Sequence, residues 1–532
     1  MEQIFGVLGS GNFDVTRALV DSGSGWVPAR HEGGAVVMAD VYSRLTGTVA
    51  ACSVHQGPGF TNCITGLTEA AKARTPLLVL AADTAESSLK SNFRIDQAAI
   101  AAAVGALHVR LGSAETAVAD ALRAHRLALA ERRPVVLSLP IDIQGEAAPD
   151  STLSTAPIAI APPLPARHSV AEAASILASA QRPLIIAGRG AARGSTRAVL
   201  EELADAAGAL FATSAAAHGL FAGNPWSVGI SGGFASPTAS DLIRQADVVV
   251  ALGATLNMWT TRHGRLISPA AALIQVDLEA GAIGSHRPVR LGLVGDLTAV
   301  AAAITAELTT RGAPGERWRT KEVRERIAAG AWSFEPYDDA TGNGFIDPRT
   351  LSIQVDQLLP AERTLAIDSG HFMGWPAMYI RVPDQAGFVF TQAFQSIGLG
   401  LAGAIGAAVA RPDRLTVAAV GDGGLLMGIS ELETAVRLGL RMLVLTYNDA
   451  AYGAEVHHFG PDGIPVGLVQ FPDSDIGAIG RGAGALAATV RSPEDLAPVR
   501  RWVAEGAPGV FVVDAKVVPT VVGEWLPEAF GH

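Results

Sequence analysis

Short runs of apolar residues alternate with helix-length amphipathic segments along most of the chain. In the first 150 residues the runs "IFGVLG", "VAACSVH", "PLLVLAAD" and "RPVVLSLP" are continuous, the pattern of strands buried on both faces, with helical segments between them. Such repetition predicts a parallel, doubly wound sheet. The stretch "GEAAPDSTLSTAPIAIAPPLPAR" interrupts it with Pro, Ala and Ser and predicts a linker. A second unit follows, with "RPLIIAGRG", "ADVVVALGA" and "AALIQVDL" as strands. After Gly312 the charged stretch "GERWRTKEVRERIAAGAW" predicts a helix leading into a third unit, with strands "RTLAIDSG", "LTVAAVGDGG", "RMLVLTYND" and "PGVFVVDA". The expected fold class is α/β, with three doubly wound parallel-sheet domains at residues 1–150, 165–312 and 335–532. Ligands of such sheets sit beyond the carboxyl ends of the strands, so strand-end residues are the candidates for chemistry.

One helical segment opens on a charge. In "RHEGGAVVMADVYSR", Arg30 to Arg44, Glu32 shares a helical face with Ala35, Val36, Ala39 and Ser43, the side such a helix buries. A carboxylate entering that face needs a partner. It is either the helix dipole, which favours acids in the first turn, or a bound group that makes the carboxylate catalytic.

Composition narrows the function classes. At 532 residues the chain is too long for one core, and 49% hydrophobic with 17% charged residues describes a compact protein. A net charge of −11 argues against nucleic acid as the main partner. Cys52 and Cys63 have neither the spacing of a zinc site nor the number of a disulfide framework, and are expected to be buried, reduced thiols. The start "MEQIFGVLGSGNF" has no basic segment followed by a long apolar core, and no apolar run reaches membrane-spanning length. A cytoplasmic protein with no membrane partner is expected.

The stretch "VAAVGDGGLLMGISELETAVRLGLRMLVLTYNDAAYGAEVHH" is the most informative. One strand ends at Gly421-Asp422-Gly423-Gly424 and the next at Asn448-Asp449, so oxygen ligands emerge from one edge of the sheet on successive strands. Oxygens flanked by glycines suit Mg²⁺ held against phosphates, because small residues let backbone N–H groups approach the anion. A glycine turn and a loop-starting Asn-Asp pair give the same letters in isolation. Their joint occurrence, with "AYG" following, favours the metal.

This stretch resembles the diphosphate-binding motif of thiamine diphosphate enzymes, and "RHEGGAVVMADVYSRLTG" with "SVHQGPGFTNCITGLTEAAKARTPLLVLAAD" resembles their pyrimidine-binding domain. The middle segment, with "GATLNMWTTRHGRLI" and "LIQVDLEAGAIG", resembles their central domain. The likeness covers nearly the whole chain and points to the acetolactate synthase, benzoylformate decarboxylase and benzaldehyde lyase branch. Relatives usually begin with a helix before the strand matching "IFGVLG", and this sequence starts without it.

The resemblance implies thiamine diphosphate and Mg²⁺ as cofactors. Glu32 would bond the aminopyrimidine ring and drive the tautomer that deprotonates thiazolium C2, with Gly33 and Gly34 admitting the ring. A 2-oxo acid would then lose CO₂, and the resulting enamine would be protonated or joined to a carbonyl acceptor. The resemblance makes Asp422 and the Ala451 carbonyl metal ligands, with Asp449 where relatives carry asparagine and Asn448 as the alternative by a shift of register. It gives Gln395 a carbonyl for the pyrimidine amino group, Ile397 the support of the bent cofactor, and Gly370, His371, Gly423, Gly424 and Tyr452 the lining of its site. His55 matches a histidine of benzoylformate decarboxylase and Gln97 a substrate-contacting glutamine of benzaldehyde lyase; His457 and His458 are weaker candidates. FAD is not expected. A homodimer or homotetramer is expected, because in this family two subunits share each site. The implied function is decarboxylation of a 2-oxo acid with or without carboligation to an aldehyde or ketone. Acetolactate synthase proper, a 2-hydroxy ketone or 2-hydroxyacyl-CoA lyase, and a non-catalytic protein on the same fold are the alternatives.

Overall fold

The computed structural model describes residues 1–148, 161, 163–192, 194, 196–312 and 317–530, so most of the expected linker lies outside the described residues. Three six-stranded sheets, parallel throughout, account for the apolar runs. The first contains β1 (Gln3–Gly6), β2 (Gly25–Pro28), β3 (Ala50–Val54), β4 (Leu77–Asp83), β5 (Leu107–Arg110) and β6 (Val135–Pro140) in the order β2-β1-β3-β4-β6-β5. The second contains β7 (Pro183–Ala187), β8 (Leu210–Thr213), β9 (Ser227–Ile230), β10 (Val248–Leu252), β11 (Ala272–Asp277) and β12 (Leu291–Val294) in the order β12-β11-β10-β7-β8-β9. The third contains β13 (Arg363–Ile367), β14 (Phe388–Phe390), β15 (Leu415–Gly421), β16 (Met442–Asn448), β17 (Leu486–Val490) and β18 (Val510–Lys516) in the order β14-β13-β15-β16-β18-β17. Counted from each domain's own start, the first and third sheets have the same strand order. The middle one has the order of a dinucleotide-binding fold.

The two outer domains share one core. The Glu32–Thr46 helix packs against the Gly400–Ala410 helix, whose sequence "GLAGAIGAAVA" presents small residues that let the two axes approach. A β-carbon on Gly403 would sit 3.2 Å from Thr391 and 3.5 Å from Val41, so the contact is close throughout. The amphipathic reading of the Glu32–Thr46 helix is thereby corrected. Ala35, Val36 and Ala39 are buried as expected, but Val37, Met38 and Val41 on its other sides are buried too, because the third domain covers them. Asp40 enters this core with its charge answered by Arg44, at whose guanidinium Glu69 also ends (2.9 Å).

The charged stretch after Gly312 forms the Lys321–Ala329 helix, capped by Thr320. Cys52 and Cys63 are free and buried. Among the described residues no helix is long and apolar enough to cross a membrane.

Candidate active site

Two places at strand ends gather the candidate residues. In the third domain Asp422 follows β15 and Asp449 follows β16, neighbours in the sheet with Gly421 opposite Tyr447. Their carboxyls are near enough that the charge of Asp422 raises the pKa of Asp449. Burial pushes Asp422 up to about 6, and burial together with the Asp422 charge pushes Asp449 up to about 7. Two carboxyls held this way out of water call for a cation between them.

The local backbone supports that role. Ala451 and Gln470 form a bridge whose hydrogen bonds run on either side of them, Tyr452 N–H to Val469 O and Phe471 N–H to Ala450 O, so the Ala451 peptide groups face away from the neighbouring segment. Its N–H donates to Asp449 Oδ1 (3.2 Å). Asn448 is turned the other way: its amide donates to Asp514 (2.9 Å) and its carbonyl accepts from Ala450 N–H (3.1 Å). Asp514 also meets the buried Lys516 ammonium (3.0 Å), a positive charge that lowers the Asp422 pKa against its burial. A β-carbon on Gly423 would stand 2.6 Å from the Tyr452 ring and one on Gly424 2.5 Å from Asp368 Oδ2, so neither position tolerates a side chain without displacement.

Asp422, Gly423, Gly424, Asp449, Ala451 and Tyr452 line one cavity of about 1650 Å³ together with Gly370, His371, Gln395 and Ile397. Gln395 holds φ +62°, a left-handed conformation that costs a non-glycine residue energy and that recurs at functional loops. Asp368, fully buried, accepts from the Gly398 and Leu399 N–H groups (2.9 and 3.2 Å) and so fixes the loop after Ile397. His371 is buried beside Trp525 and His457, accepts from Gly523 N–H (2.9 Å), and is pushed down to about 3 by burial, which keeps its ring neutral. Gln392 Nε2 and Trp525 Nε1 are buried donors lining the same cavity without a hydrogen-bond partner among the described residues. Such groups are ordinarily satisfied by a ligand or water.

Glu32, His55 and Gln97 do not line this cavity. Glu32 opens its helix, and its Oε2 accepts from Asn62 Nδ2 (2.9 Å). A β-carbon on Gly59 would lie 3.4 Å from Glu32 Oε1 and 3.1 Å from His55 Cβ, which puts the acid and the histidine on either side of one glycine. The His55 ring meets Ser10 Oγ (3.4 Å), donates from Nδ1 to the Gln56 carbonyl (2.9 Å) and packs on Phe93. Gly34, expected to admit a cofactor ring, instead makes room for protein: a β-carbon there would stand 2.6 Å from Glu431 Oε1. Gln97 is buried, with its amide spent on Ala82 O (2.8 Å) and Ser138 Oγ (2.5 Å) inside the domain. Asn62, Ser10, Gln392 and Glu431 were not singled out in the sequence. Asn62 alone had a signal, its place in "GFTNCITG" seven residues after His55 in the segment that follows β3.

The donor set fits Mg²⁺: two carboxylates and a carbonyl are hard oxygens, and they leave positions for phosphate. Among the described residues no three His, Cys, Asp or Glu side chains gather as a metal cluster, so the carbonyl and a bound anion would complete the shell. In the middle domain the glycines of "GRGAARG" have a structural use. Gly190 and Gly253 pack on each other, a β-carbon on Gly253 falling 2.8 Å from Gly190 Cα.

Residues 1–105 match the model of the thiamine pyrophosphate enzyme N-terminal TPP binding domain, 170–304 that of the central domain and 368–515 that of the C-terminal TPP binding domain. The chain is 30% identical to a Pseudomonas aeruginosa protein named "Probable 2-ketoarginine decarboxylase", over 97% of this chain and 91% of that one. It is 27% identical to a sulfoacetaldehyde acetyltransferase of Alcaligenes xylosoxydans, over 86% and 80% of the two chains. It is 26% identical to the large subunit of acetolactate synthase isozyme 2 of Escherichia coli, over 85% and 80%. With the three domains matched in order and likeness running along nearly its whole length, the chain belongs to the thiamine pyrophosphate enzymes of the acetolactate synthase and decarboxylase superfamily.

Proposed function

We propose that the chain decarboxylates a 2-oxo acid with thiamine diphosphate and Mg²⁺, and hands the retained acyl unit to a proton or to a carbonyl acceptor. The observation that carries this reading is the pair of carboxyls at the ends of β15 and β16, lining a cavity with Gln395 and Ile397, in a chain that keeps Glu32 at the head of a helix in its first domain. Named relatives support it, since a decarboxylase, an acetyltransferase and an acetolactate synthase all make or break a bond at an acyl carbon.

Asp422, Asp449 and the Ala451 carbonyl hold Mg²⁺; Asp449 takes the role because Asn448 is committed to Asp514. The Gln395 carbonyl and the Ile397 side chain orient the cofactor from the third domain. When bound, thiamine diphosphate supplies the electron sink for loss of CO₂. Glu32, oriented by Asn62, holds the proton at the pyrimidine nitrogen through its carboxyl group. His55, steadied by Ser10 and the Gln56 carbonyl, is the substrate-side acid. Gln97 is left out because both ends of its amide are engaged within the domain.

One chain does not close the site. Glu32 and His55 lie outside the cavity that holds Asp422, and apolar side chains stand exposed near both halves: Phe93 beside His55, and Met427 at the end of the helix that Asp422 begins. A homodimer or homotetramer in which Glu32 of one copy meets Asp422 of another satisfies both. Substituting Glu32→Gln tests the central assignment. Hydrogen–deuterium exchange at C2 of bound thiamine diphosphate is expected to slow at least ~10²-fold, the usual worth of an acid–base group, with cofactor still bound. An unchanged rate would overturn it.

A further inference from the structure

Two buried glutamates outside the site join the outer domains in the same way from opposite sides. Glu431, in the Ser430–Arg437 helix between β15 and β16, accepts from the backbone N–H groups of Arg30 (3.1 Å) and His31 (2.8 Å), the two residues before Glu32. Glu69, in the Ile64–Lys72 helix between β3 and β4, accepts from the N–H groups of Ala393 (3.2 Å) and Phe394 (2.7 Å), the two residues before Gln395. The two helices occupy equivalent places in sheets of identical strand order, and each segment they hold follows the edge strand beside its domain's first strand. Each domain thus grips the other's segment by two successive peptide N–H groups.

Packing alone does not explain carboxylates here. Glu69 is fully buried and Glu431 is 2% exposed, positions where an apolar residue is cheaper to bury. Glu69 has Arg44 beside it, whereas the bonds of Glu431 are to Arg30 N–H, His31 N–H and the Thr434 hydroxyl (2.8 Å). A carboxylate offers two acceptor oxygens and no donor, which suits two adjacent N–H groups pointing the same way. Arg437 reinforces the grip by donating to Pro28 O (2.7 Å), and Arg30 pairs with Glu433 (2.6 Å).

We propose that Glu431 and Glu69 are positioning residues: Glu431 fixes the turn that aims Glu32, and Glu69 fixes the segment that holds Gln395 in its left-handed conformation. The assignment rests on the role given to Glu32 above. Each active-site wall is therefore set by the other domain of its own chain.

The test uses the full-length enzyme with thiamine diphosphate and Mg²⁺, and two readouts: backbone amide exchange resolved by mass spectrometry, and C2 exchange per bound cofactor. Glu431→Ala is expected to slow C2 exchange about 10- to 100-fold, the range for a misplaced catalytic group. Glu431→Gln, which keeps one acceptor oxygen, should recover most of that rate and lose amide protection over residues 29–34 only. Glu69→Gln should lose protection over 393–397 and not over 29–34. Should the alanine variant fail to fold, the two glutamine variants still decide, because a purely structural role predicts either no local loss or loss in both segments. C2 exchange unchanged in both Glu431 variants while Glu32→Gln is slow would overturn the positioning role alone. An unchanged rate in Glu32→Gln would overturn the Glu32 assignment and this role with it.

Discussion

Gly406 lies so close to Met38 that a β-carbon on it would stand 2.4 Å from the Met38 carbonyl oxygen. Because the neighbour is backbone, no rotamer change can relieve that contact, and one helix must shift against the other. Gly406→Ala gains about 1 kcal/mol in helix propensity but incurs overpacking of about 1–3 kcal/mol, so a net loss of stability is expected. Denaturant unfolding checks it, with Gly281→Ala as a control, since a β-carbon there meets nothing within 4 Å. Equal stability of the two variants would mean the helices slide freely.

The paired carboxyls make stability depend on pH when metal is removed. Burial raises Asp422 to about 6 and Asp449 to about 7, whereas an unfolded aspartate titrates near ~3.9. Across roughly pH 4 to 7 the folded chain therefore binds more protons than the unfolded one, so stability present at acid pH is lost as pH rises through the folded values. In chelator-treated protein a loss of at least about 1 kcal/mol is expected between pH 5 and pH 8, read as about 2–4 °C in Tm. Asp449→Asn should flatten the decline, and Mg²⁺ with thiamine diphosphate should reverse it. A decline of the same size in Asp449→Asn would assign it to other groups.

The sequence showed the inner strands and hid the edges. In the first and third sheets all four inner strands, β1, β3, β4 and β6 and then β13, β15, β16 and β18, were legible as unbroken apolar runs. The edge strands β2, β5, β14 and β17 were not. For β2, β5 and β17 the reason is that an edge strand is half solvated and reads as mixed, as in "GWVP" and "LHVR", while an inner strand is buried on both faces; β14, "FVF", is apolar but only three residues long. The middle sheet adds one miss of another kind, β8, an inner strand of only four residues. At the candidate site, the strand-end positions of Asp422, in "GDGG", and of Asp449, in "NDAAYG", could be read from where the apolar runs before them stop. Glu431 was not, because its partner Arg30 is 401 residues away and an acid in a helical first turn looks ordinary.

Assembly has its own test. If Glu32 and Asp422 act on one cofactor from different copies, mixing Glu32→Gln subunits with Asp422→Ala subunits should restore activity in hybrid sites. With random pairing into dimers, about half of the dimers are mixed and each carries one intact site, so about a quarter of wild-type activity is expected, by the subunit arithmetic of an isologous dimer. The measurement is activity after co-refolding or subunit exchange. No recovery, with exchange verified by mass, would mean that each chain builds its site alone.

Gln97 separates two readings of the same residue type. Its likeness to a substrate-contacting glutamine implied a place in the cleft, but the structure puts it at the start of the Gln97–Ala103 helix with 4% exposure. Its Nε2 donates to Ala82 O at the end of β4, and its Oε1 accepts from Ser138 of β6, whose hydroxyl also meets His108 of β5 (2.8 Å). One amide ties β4 to β6, and the Ser138 hydroxyl extends the link to β5. Gln97→Leu keeps the volume and removes both bonds, leaving a buried carbonyl and hydroxyl short of partners at a cost of about 1–3 kcal/mol. The expected outcome is a lower unfolding midpoint with kcat/KM of the folded enzyme within about twofold of wild type, since uniform binding of substrate is untouched. Gln97→Glu is the sharper variant, because it keeps the acceptor for Ser138 but loses the donor to Ala82 and buries a charge. It should destabilise more than leucine does. If either variant instead raised KM at least tenfold at unchanged stability, Gln97 would be reaching the substrate, and the helix that carries it would have to turn outward when the site is filled.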